Sequence, residues 1–378
     1  MKIFAVRELA AGERRVSLTP ASADKLVKLG AEVWAEPGLG ASIFQSDAEY
    51  ERRGVRMMDR ARGLAEADWV FRVRPPTPEE AAASRPKSVH IGYLEPFANR
   101  AVVEAFARSG ATALAVELVP RSTIAQKLDV LSSQANLAGY VAVMLAAERL
   151  PKILPMMMTP AGTIPPARVF VVGAGVAGLQ AIATARRLGA RVEAYDTRPV
   201  VREQVQSLGA KFVEIDVGET GQTAQGYARP LTEEQLARQR EQMARHCAEA
   251  DVVITTAQVF GRRAPRIITD EMIRRMKPGS VIVDLAVETG GNVEGSELDR
   301  EVERHGVRIL GLGNLPGRVA VTASLMYANN LANFIEHFWD REGRSVRLPE
   351  NDEIVHSMTV VRGGRVVHPT VIEALGLK

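Results

Sequence analysis

Short apolar runs, separated by amphipathic stretches, mark the chain from residue 1 to about residue 120. KIFAVRE, AEVWAE, ADWVFRV, SVHIGYL and TALAVEL read as strands. Helical patterns lie between most of them. TPASADKLVKLG offers Thr19 as N-cap, Pro20 at the first helical position and Gly30 as the stop. NRAVVEAFARSG reads as another helix. A largely apolar helix follows, from about Leu131 to Leu150, and then PKILPMMMTPAGTIPPA, whose prolines read as a boundary. From Ala167 to about Leu310 a second alternating series begins: ARVFVVG, RVEAYD, AKFVEI, ADVVITT, SVIVDL and GVRIL are its strands. A second long helix starts near Val319, and VVRGGRVVH in the tail reads as a hairpin turning at Gly-Gly.

Alternating strands and helices mean βαβ units and parallel sheets. The expected fold is therefore α/β, with two Rossmann-type parallel-sheet domains joined by long helices and a discontinuous first domain. The expected boundaries are residues 1–130 with 335–378 for the first domain, 131–150 and 319–338 for the linking helices, and 151–318 for a nucleotide-binding second domain. A length of 378 residues suits two domains, and 46% hydrophobic content suffices for their cores.

Composition removes several function classes. A formal charge of +3 and the lack of any long run of like charge argue against a nucleic-acid partner. The single cysteine, Cys247, forbids an internal disulfide and reads as a buried apolar residue. Six scattered histidines give no metal-ligand spacing. MKIFAVREL lacks the pattern of a signal peptide. The apolar run near Leu137–Ala147 reads as too short to span a bilayer, which needs about 20 residues.

The strongest chemical signal is ARVFVVGAGVAGLQAIATARRLGARVEAYDTR. Gly173, Gly175 and Gly178 form G-x-G-x-x-G between an apolar strand and a helix, with Ala174 and Val176 between them. The first glycine permits a tight turn, the second lets a pyrophosphate approach the backbone, and the third lets helix and strand pack closely. The helix N-terminus adds N–H donors and a favourable dipole. Asp196 ends the next strand, where a carboxylate accepts from a ribose 2′-hydroxyl and repels a 2′-phosphate. NAD(H) is therefore favoured, with Thr197 and Arg198 beside Asp196, although an arginine there can also accept a phosphate. GETGQTAQGYARP, Gly218 to Pro230, reads as a mobile lid or a disordered loop, with Tyr227 as the closing residue. VDLAVETGGN puts Asp284 and Glu288 after a strand, where Asp284 reads equally as a site residue or a hydrogen-bonded loop residue.

RSTIAQKLDVLSSQ, just before the first long helix, concentrates Arg121, Gln126, Asp129 and Ser132. On the residues alone, Asp129 or Ser132 could simply cap that helix. Together with VVGAGVAGLQAIATARRLGA, GYAR, DLAVETGGN and GERRVSLTP, this segment resembles the soluble NAD(H)-binding component of proton-translocating nicotinamide nucleotide transhydrogenase, and its relative alanine dehydrogenase. The resemblance runs over nearly the whole chain.

It implies a split enzyme that passes a hydride from NADH to NADP(H) held on a beta subunit. The chain would pair as a homodimer and meet a separate membrane-spanning alpha-type subunit. It would be cytoplasmic, peripheral to the inner membrane, and touch the membrane only through partners. By the same resemblance Arg121, Gln126, Asp129 and Ser132 serve the nicotinamide end of NAD, with Asp129 able to pair with Arg121. Gly226 and Tyr227 match the family's mobile loop. Gln239 falls on a nucleotide-contacting position, against its plain reading as an exposed helix residue. Gln258 stands where the family tends to have an apolar residue, which puts its contact with the adenine side in doubt.

Direct transfer between two nicotinamides needs orientation rather than a general base. An alanine-type dehydrogenase needs a cationic anchor and a histidine acid/base. Arg15 could anchor a carboxylate, but Glu95 stands where the histidine is expected and Glu288 where that family has an aspartate. His90 is out of register. A non-catalytic NAD-binding regulatory subunit is the third reading.

Overall fold

The computed structural model describes residues 1–215, 231–259 and 261–377. It divides into two units, Met1–Gln134 with Gly317–Lys378, and Ala135–Pro316.

In the first unit β1 (Lys2–Ala5), β2 (Glu32–Ala35), β3 (Arg56–Met57), β4 (Trp69–Phe71), β5 (Val89–Gly92) and β6 (Thr112–Ala115) run parallel in the order β3-β2-β1-β4-β5-β6. Ile3, Phe4 and Ala5 are all fully buried, as are Val70 and Phe71. Both faces of these central strands are thus covered, as a parallel sheet requires. The helix Pro20–Leu29 starts and stops where the sequence says. Thr19 and Ser22 form a reciprocal capping box, Pro20 opens the helix, and Gly30 closes it in the left-handed region at φ 101°.

The second unit opens with a two-stranded hairpin, β7 (Met157–Thr159) and β8 (Gly162–Ile164), whose strand residues are all exposed. The proline-rich boundary thus holds a hairpin that the sequence pattern does not suggest. Then follow β9 (Arg168–Val172), β10 (Arg191–Tyr195), β11 (Lys211–Phe212), β12 (Val252–Thr255), β13 (Val281–Asp284), β14 (Arg300–Arg304) and β15 (Val307–Gly311). Their order is β11-β10-β9-β12-β13-β15-β14, parallel except for β14, which lies antiparallel at the edge. β14 reads REVER and escapes the hydrophobic pattern, because charge suits an unpaired edge.

The chain then returns to the first unit. β16 (Trp339–Asp340) and β17 (Ser345–Val346) form a small hairpin. β18 (Thr359–Arg362) lies antiparallel beside β6, with β19 (Arg365–Val366) outside it. Gly363 and Gly364 turn this hairpin at φ 59° and 77°, a combination that glycine adopts without strain.

In both sheets the strand order reverses beside the first strand of the series, at β1/β4 and at β9/β12. In open α/β sheets such switch points are where ligands bind. The first long helix, Val130–Arg149, contains the border between the units, whereas the helix Ala320–His337 belongs wholly to the first. At 20 residues Val130–Arg149 exceeds the apolar run expected there and is long and apolar enough to cross a bilayer. That test rests on length and composition alone, and core helices also pass it.

Candidate functional site

The glycine turn leaves β9 at the switch point of the second sheet. Gly173 has φ 98°, and a Cβ there would stand 2.5 Å from the Thr256 hydroxyl. A Cβ on Gly178 would stand 1.9 Å from the Gly173 carbonyl oxygen. Both glycines are demanded by the fold. Gly175 differs: the one atom within 4 Å of its would-be Cβ is a terminal nitrogen of Arg198, at 4.0 Å. The fold leaves room at the glycine that is expected to meet a pyrophosphate. Gly175 caps the helix Val176–Arg187, whose N-terminal amides follow directly.

Asp196, after β10, closes on this turn. Its carboxylate accepts from Ala174 N at 2.7 Å and from Arg198 N at 2.8 Å. The Arg198 guanidinium adds Nε at 2.9 Å and Nη2 at 2.8 Å. Val176 and Thr197 are half-buried beside them. The turn is braced from the next strands. Thr256 Oγ1 donates to the Gly173 carbonyl at 3.1 Å. Asn292 holds Ala257 through both its side-chain oxygen and its side-chain nitrogen, at 3.0 and 2.8 Å. Asp284 is fully buried and accepts from Thr255 Oγ1 and from the backbone N–H groups of Ala286, Asn292 and Val293. It is a loop-building residue, and Glu288 beside it is exposed.

Gln239 is 2% exposed, not the surface residue that its polar helix suggests. Its Nε2 donates to the Tyr195 hydroxyl at 3.2 Å, and its buried Oε1 has no partner among the described residues. Such an orphaned acceptor costs about 1–3 kcal/mol unless a ligand or water supplies a donor. Burial, against the Gln239 hydrogen bond, lifts the Tyr195 phenol to about 12, so it stays protonated. Gln258 is exposed, with a long contact to the Leu285 carbonyl at 3.5 Å. Gly226, Tyr227 and the rest of Gly218–Pro230 lie outside the described residues. Cys247 is buried, as expected, and burial lifts its thiol to about 12.

In the first unit the Arg121–Ser132 segment runs into the long helix. Asp129 is its N-cap: the carboxylate accepts from Ser132 N at 2.8 Å and from Ser132 Oγ at 2.5 Å. The capping role that the local sequence allows is thus the one that Asp129 fills. Arg121 and Gln126 are exposed, while Ala125 and Leu128 between and beside them are buried. This alternation pins the backbone and leaves the polar ends outward. Residues outside the expected set carry the segment. Asn330 Nδ2 and Asn333 Nδ2 donate to the Lys127 carbonyl at 2.8 and 3.1 Å, and Ser133 Oγ lies 2.8 Å from Asn330 Oδ1. Their one sequence signal is a pair of asparagines, three apart, in an otherwise apolar helix.

Strand ends of the same unit gather a buried charged cluster. Arg15 donates through Nε and Nη2 to Glu13 at 2.9 and 2.7 Å, and through Nη1 to Gln134 at 3.0 Å. Arg74 Nε shares Glu13 at 2.9 Å, and its Nη1 reaches Glu95 at 3.4 Å. Burial pushes the Glu13 carboxyl up, but the Arg15 hydrogen bonds and charge outweigh it and hold it at about 2. Burial lifts Glu117 to about 7 despite the Leu94 and Glu95 N–H groups it accepts. His90 is sealed in the core against Phe106, ring centroids 5.0 Å apart. Burial, then the Arg72 charge, drives its pKa well below the usual range, so it stays neutral. It cannot act as a solvent-linked acid or base. No group of three or more His, Cys, Asp or Glu among the described residues is placed to hold a metal.

Comparison with known proteins agrees with this geometry. The family model "Alanine dehydrogenase/PNT, N-terminal domain" matches residues 4–138, and "Alanine dehydrogenase/PNT, C-terminal domain" matches residues 142–369. The chain is 46% identical to the first of the separate chains that make up the NAD(P) transhydrogenase alpha subunit of Rhodospirillum rubrum, over 98% of this chain and 99% of that one. It is similar to the crystal structure of transhydrogenase from Sinorhizobium meliloti, at 46% identity and TM-score 0.88, over 97% and 100% of the two chains. An L-alanine dehydrogenase structure matches at 26% identity and TM-score 0.84, over 100% and 99%. With both family domains present in order along nearly its full length, the chain belongs to the alanine dehydrogenase/PNT family.

Proposed function

We propose that this chain is the NAD(H)-binding subunit of a proton-translocating NAD(P) transhydrogenase, an oxidoreductase that passes a hydride from NADH to NADP held on a partner subunit. The observation that carries the reading is the glycine turn. Asp196 is locked onto Ala174, Gly175 is left open, and Gln239 keeps a buried acceptor in reserve. The likeness to transhydrogenase alpha subunits over nearly the whole chain supports it.

The nicotinamide supplies the hydride, and the chain supplies position. Ala174, Gly175, Val176 and Gly178 cradle the pyrophosphate, while Asp196, Thr197 and Arg198 meet the adenosine ribose. Gln239, Gly226 and Tyr227 contribute on the adenosine side, with Gln258 at its margin. Arg121, Gln126, Asp129 and Ser132 serve the nicotinamide end. The Asp129–Ser132 pair sets the start of the helix, and Gln126 orients the carboxamide or ribose. No general base is required, and the sealed His90 supplies none.

The same reading takes the chain as a homodimer that works with an NADP-binding beta subunit and a separate membrane-spanning alpha-type subunit. It places the chain in the cytoplasm, peripheral to the inner membrane, with membrane contact through those partners. An exposed apolar hairpin supports a second copy as one neighbour: Met156, Met157, Met158 and Ile164 are 58%, 43%, 74% and 41% exposed.

Reconstitution tests the whole. The chain alone should bind NADH and oxidise no L-alanine, and hydride exchange should appear when the NADP-binding partner is added. Turnover of L-alanine by the isolated chain would favour the dehydrogenase instead. Silent mixtures of nucleotide-loaded components would favour a regulatory subunit.

A further inference from the structure

We propose that Arg198 sets the choice between NAD and NADP at this site, by competing with the coenzyme ribose for Asp196. The proposal rests on the reading that the glycine turn binds the adenosine half of NAD(H). An ionised carboxylate offers about four acceptor positions. Asp196 receives donors from Ala174 N, Arg198 N, Arg198 Nε and Arg198 Nη2, all between 2.7 and 2.9 Å. The two backbone donors are fixed by the turn itself. The guanidinium is the one partner of these that can leave by side-chain rotation.

A ribose 2′-hydroxyl that donates to Asp196 must therefore displace the guanidinium. Arg198 lowers the affinity for NAD by holding the place that the ribose needs. Its effect on NADP is opposite. A 2′-phosphate has no hydrogen to donate to Asp196 and is repelled by it. The bidentate guanidinium offsets that carboxylate charge and offers donors that match phosphate geometry. Both side chains are mostly buried, at 13% and 6% exposure, so water screens the pair little. The terminal nitrogen also stands at the open glycine, 4.0 Å from a would-be Gly175 Cβ. A released guanidinium stays beside the turn, where it can meet phosphate oxygens. The pair thus reads the 2′ position from both sides: the carboxylate takes a hydroxyl, and the guanidinium tolerates a phosphate.

The test is direct binding of NAD+ and of NADP+ to the full chain by calorimetry, for the wild type, Arg198→Ala and Arg198→Lys. Loss of one charged phosphate partner should weaken NADP+ by about tenfold or more in Arg198→Ala. NAD+ should bind as well or more tightly, so the selectivity ratio moves toward NAD. Lysine keeps the charge and loses the fork, so it should fall between the two, and it serves if the alanine variant folds poorly. A ratio that stays within twofold or moves toward NADP overturns the proposal, as does a wild type that takes up no NADP+ at millimolar concentration. Gly175→Val separates the two levels of the reading. If NAD+ still binds there, the glycine-turn assignment fails and takes this proposal with it. If NAD+ is lost there while the ratio in Arg198→Ala is unmoved, this proposal alone fails.

Discussion

The side-chain nitrogen of Asn330 donates to the backbone carbonyl of Lys127 over 2.8 Å. One helix of the C-terminal stretch thereby holds the segment that carries Gln126, although 203 positions of sequence separate the two partners. Asn330→Ala removes that donor and leaves Asn333 as the remaining one at 3.1 Å. The expected cost is about 1 kcal/mol of local stability. Hydrogen exchange of residues 122–129 should speed up and transfer to the NADP-binding partner should slow, while the global melting point moves little. Unchanged protection of that segment would remove the supporting role.

Gln126 is exposed and plays no part in the core. Gln126→Asn shortens the side chain by one methylene and should leave folding intact. If Gln126 orients the nicotinamide, the variant loses more in the transfer rate than in NADH affinity, since misplacement by about 1 Å can cost roughly 100-fold. Single-turnover kinetics beside NADH titration separates the two. Equal losses in both would show simple binding.

Two glycines of the nucleotide turn should respond in opposite ways. A methyl group at Gly178 meets the Gly173 carbonyl oxygen at 1.9 Å, so Gly178→Ala must push helix from strand. We expect about 2 kcal/mol of lost stability in urea unfolding. Gly175→Ala enters open space at φ −77°, which alanine adopts freely. Its stability should stay within about 0.5 kcal/mol of wild type. Its NADH affinity should still fall, because the methyl group occupies the approach to the backbone.

Glu117 gives a pH signature. Its folded pKa, about 7, lies above the ordinary carboxyl value of 4.5 because of burial. The folded state therefore holds a proton that the unfolded chain has released. The stability it contributes is full below about pH 4.5 and is lost as pH rises through 7. The ionised form costs roughly 3 kcal/mol. Glu117→Gln removes that titration. Urea unfolding at about pH 5 and about pH 8, on either side of the folded value, should show the wild type losing more stability over this interval than the variant. Parallel losses would place the titration elsewhere. His90 works in the opposite direction below its ordinary value of 6.5, and the comparison with the variant cancels its contribution.

Sequence carries the nucleotide turn almost completely, because each of its parts has a local cause. Glycine spacing, a preceding apolar run and a carboxylate after the next strand are all visible in one short stretch. The Thr19–Pro20–Gly30 helix is legible for the same reason. What sequence hides is set by distant partners. Asp284 collects three backbone N–H groups that only the folded loop brings together. Gln239 is buried because Tyr195, on another element, lies over it. β14 and the β7/β8 hairpin lack the apolar alternation of a half-buried strand, since an edge and an exposed arm need none. In the Arg121–Ser132 segment, the capping by Asp129 is available as a local reading, whereas the asparagines beneath it are not.

The interrupted first unit has a consequence for synthesis. Its sheet is finished only when β18 settles beside β6, and its covering helix comes after residue 317. A nascent chain leaving the ribosome will thus have every strand of the second unit before the first unit can close. The earliest-made residues wait longest for their neighbours, and they wait with buried-type strands such as KIFA unprotected. A premature stop shortly before residue 317 should spare the nucleotide turn and strand the N-terminal half. The last stretch of translation, rather than the first, is then the interval of greatest risk from chaperone shortage.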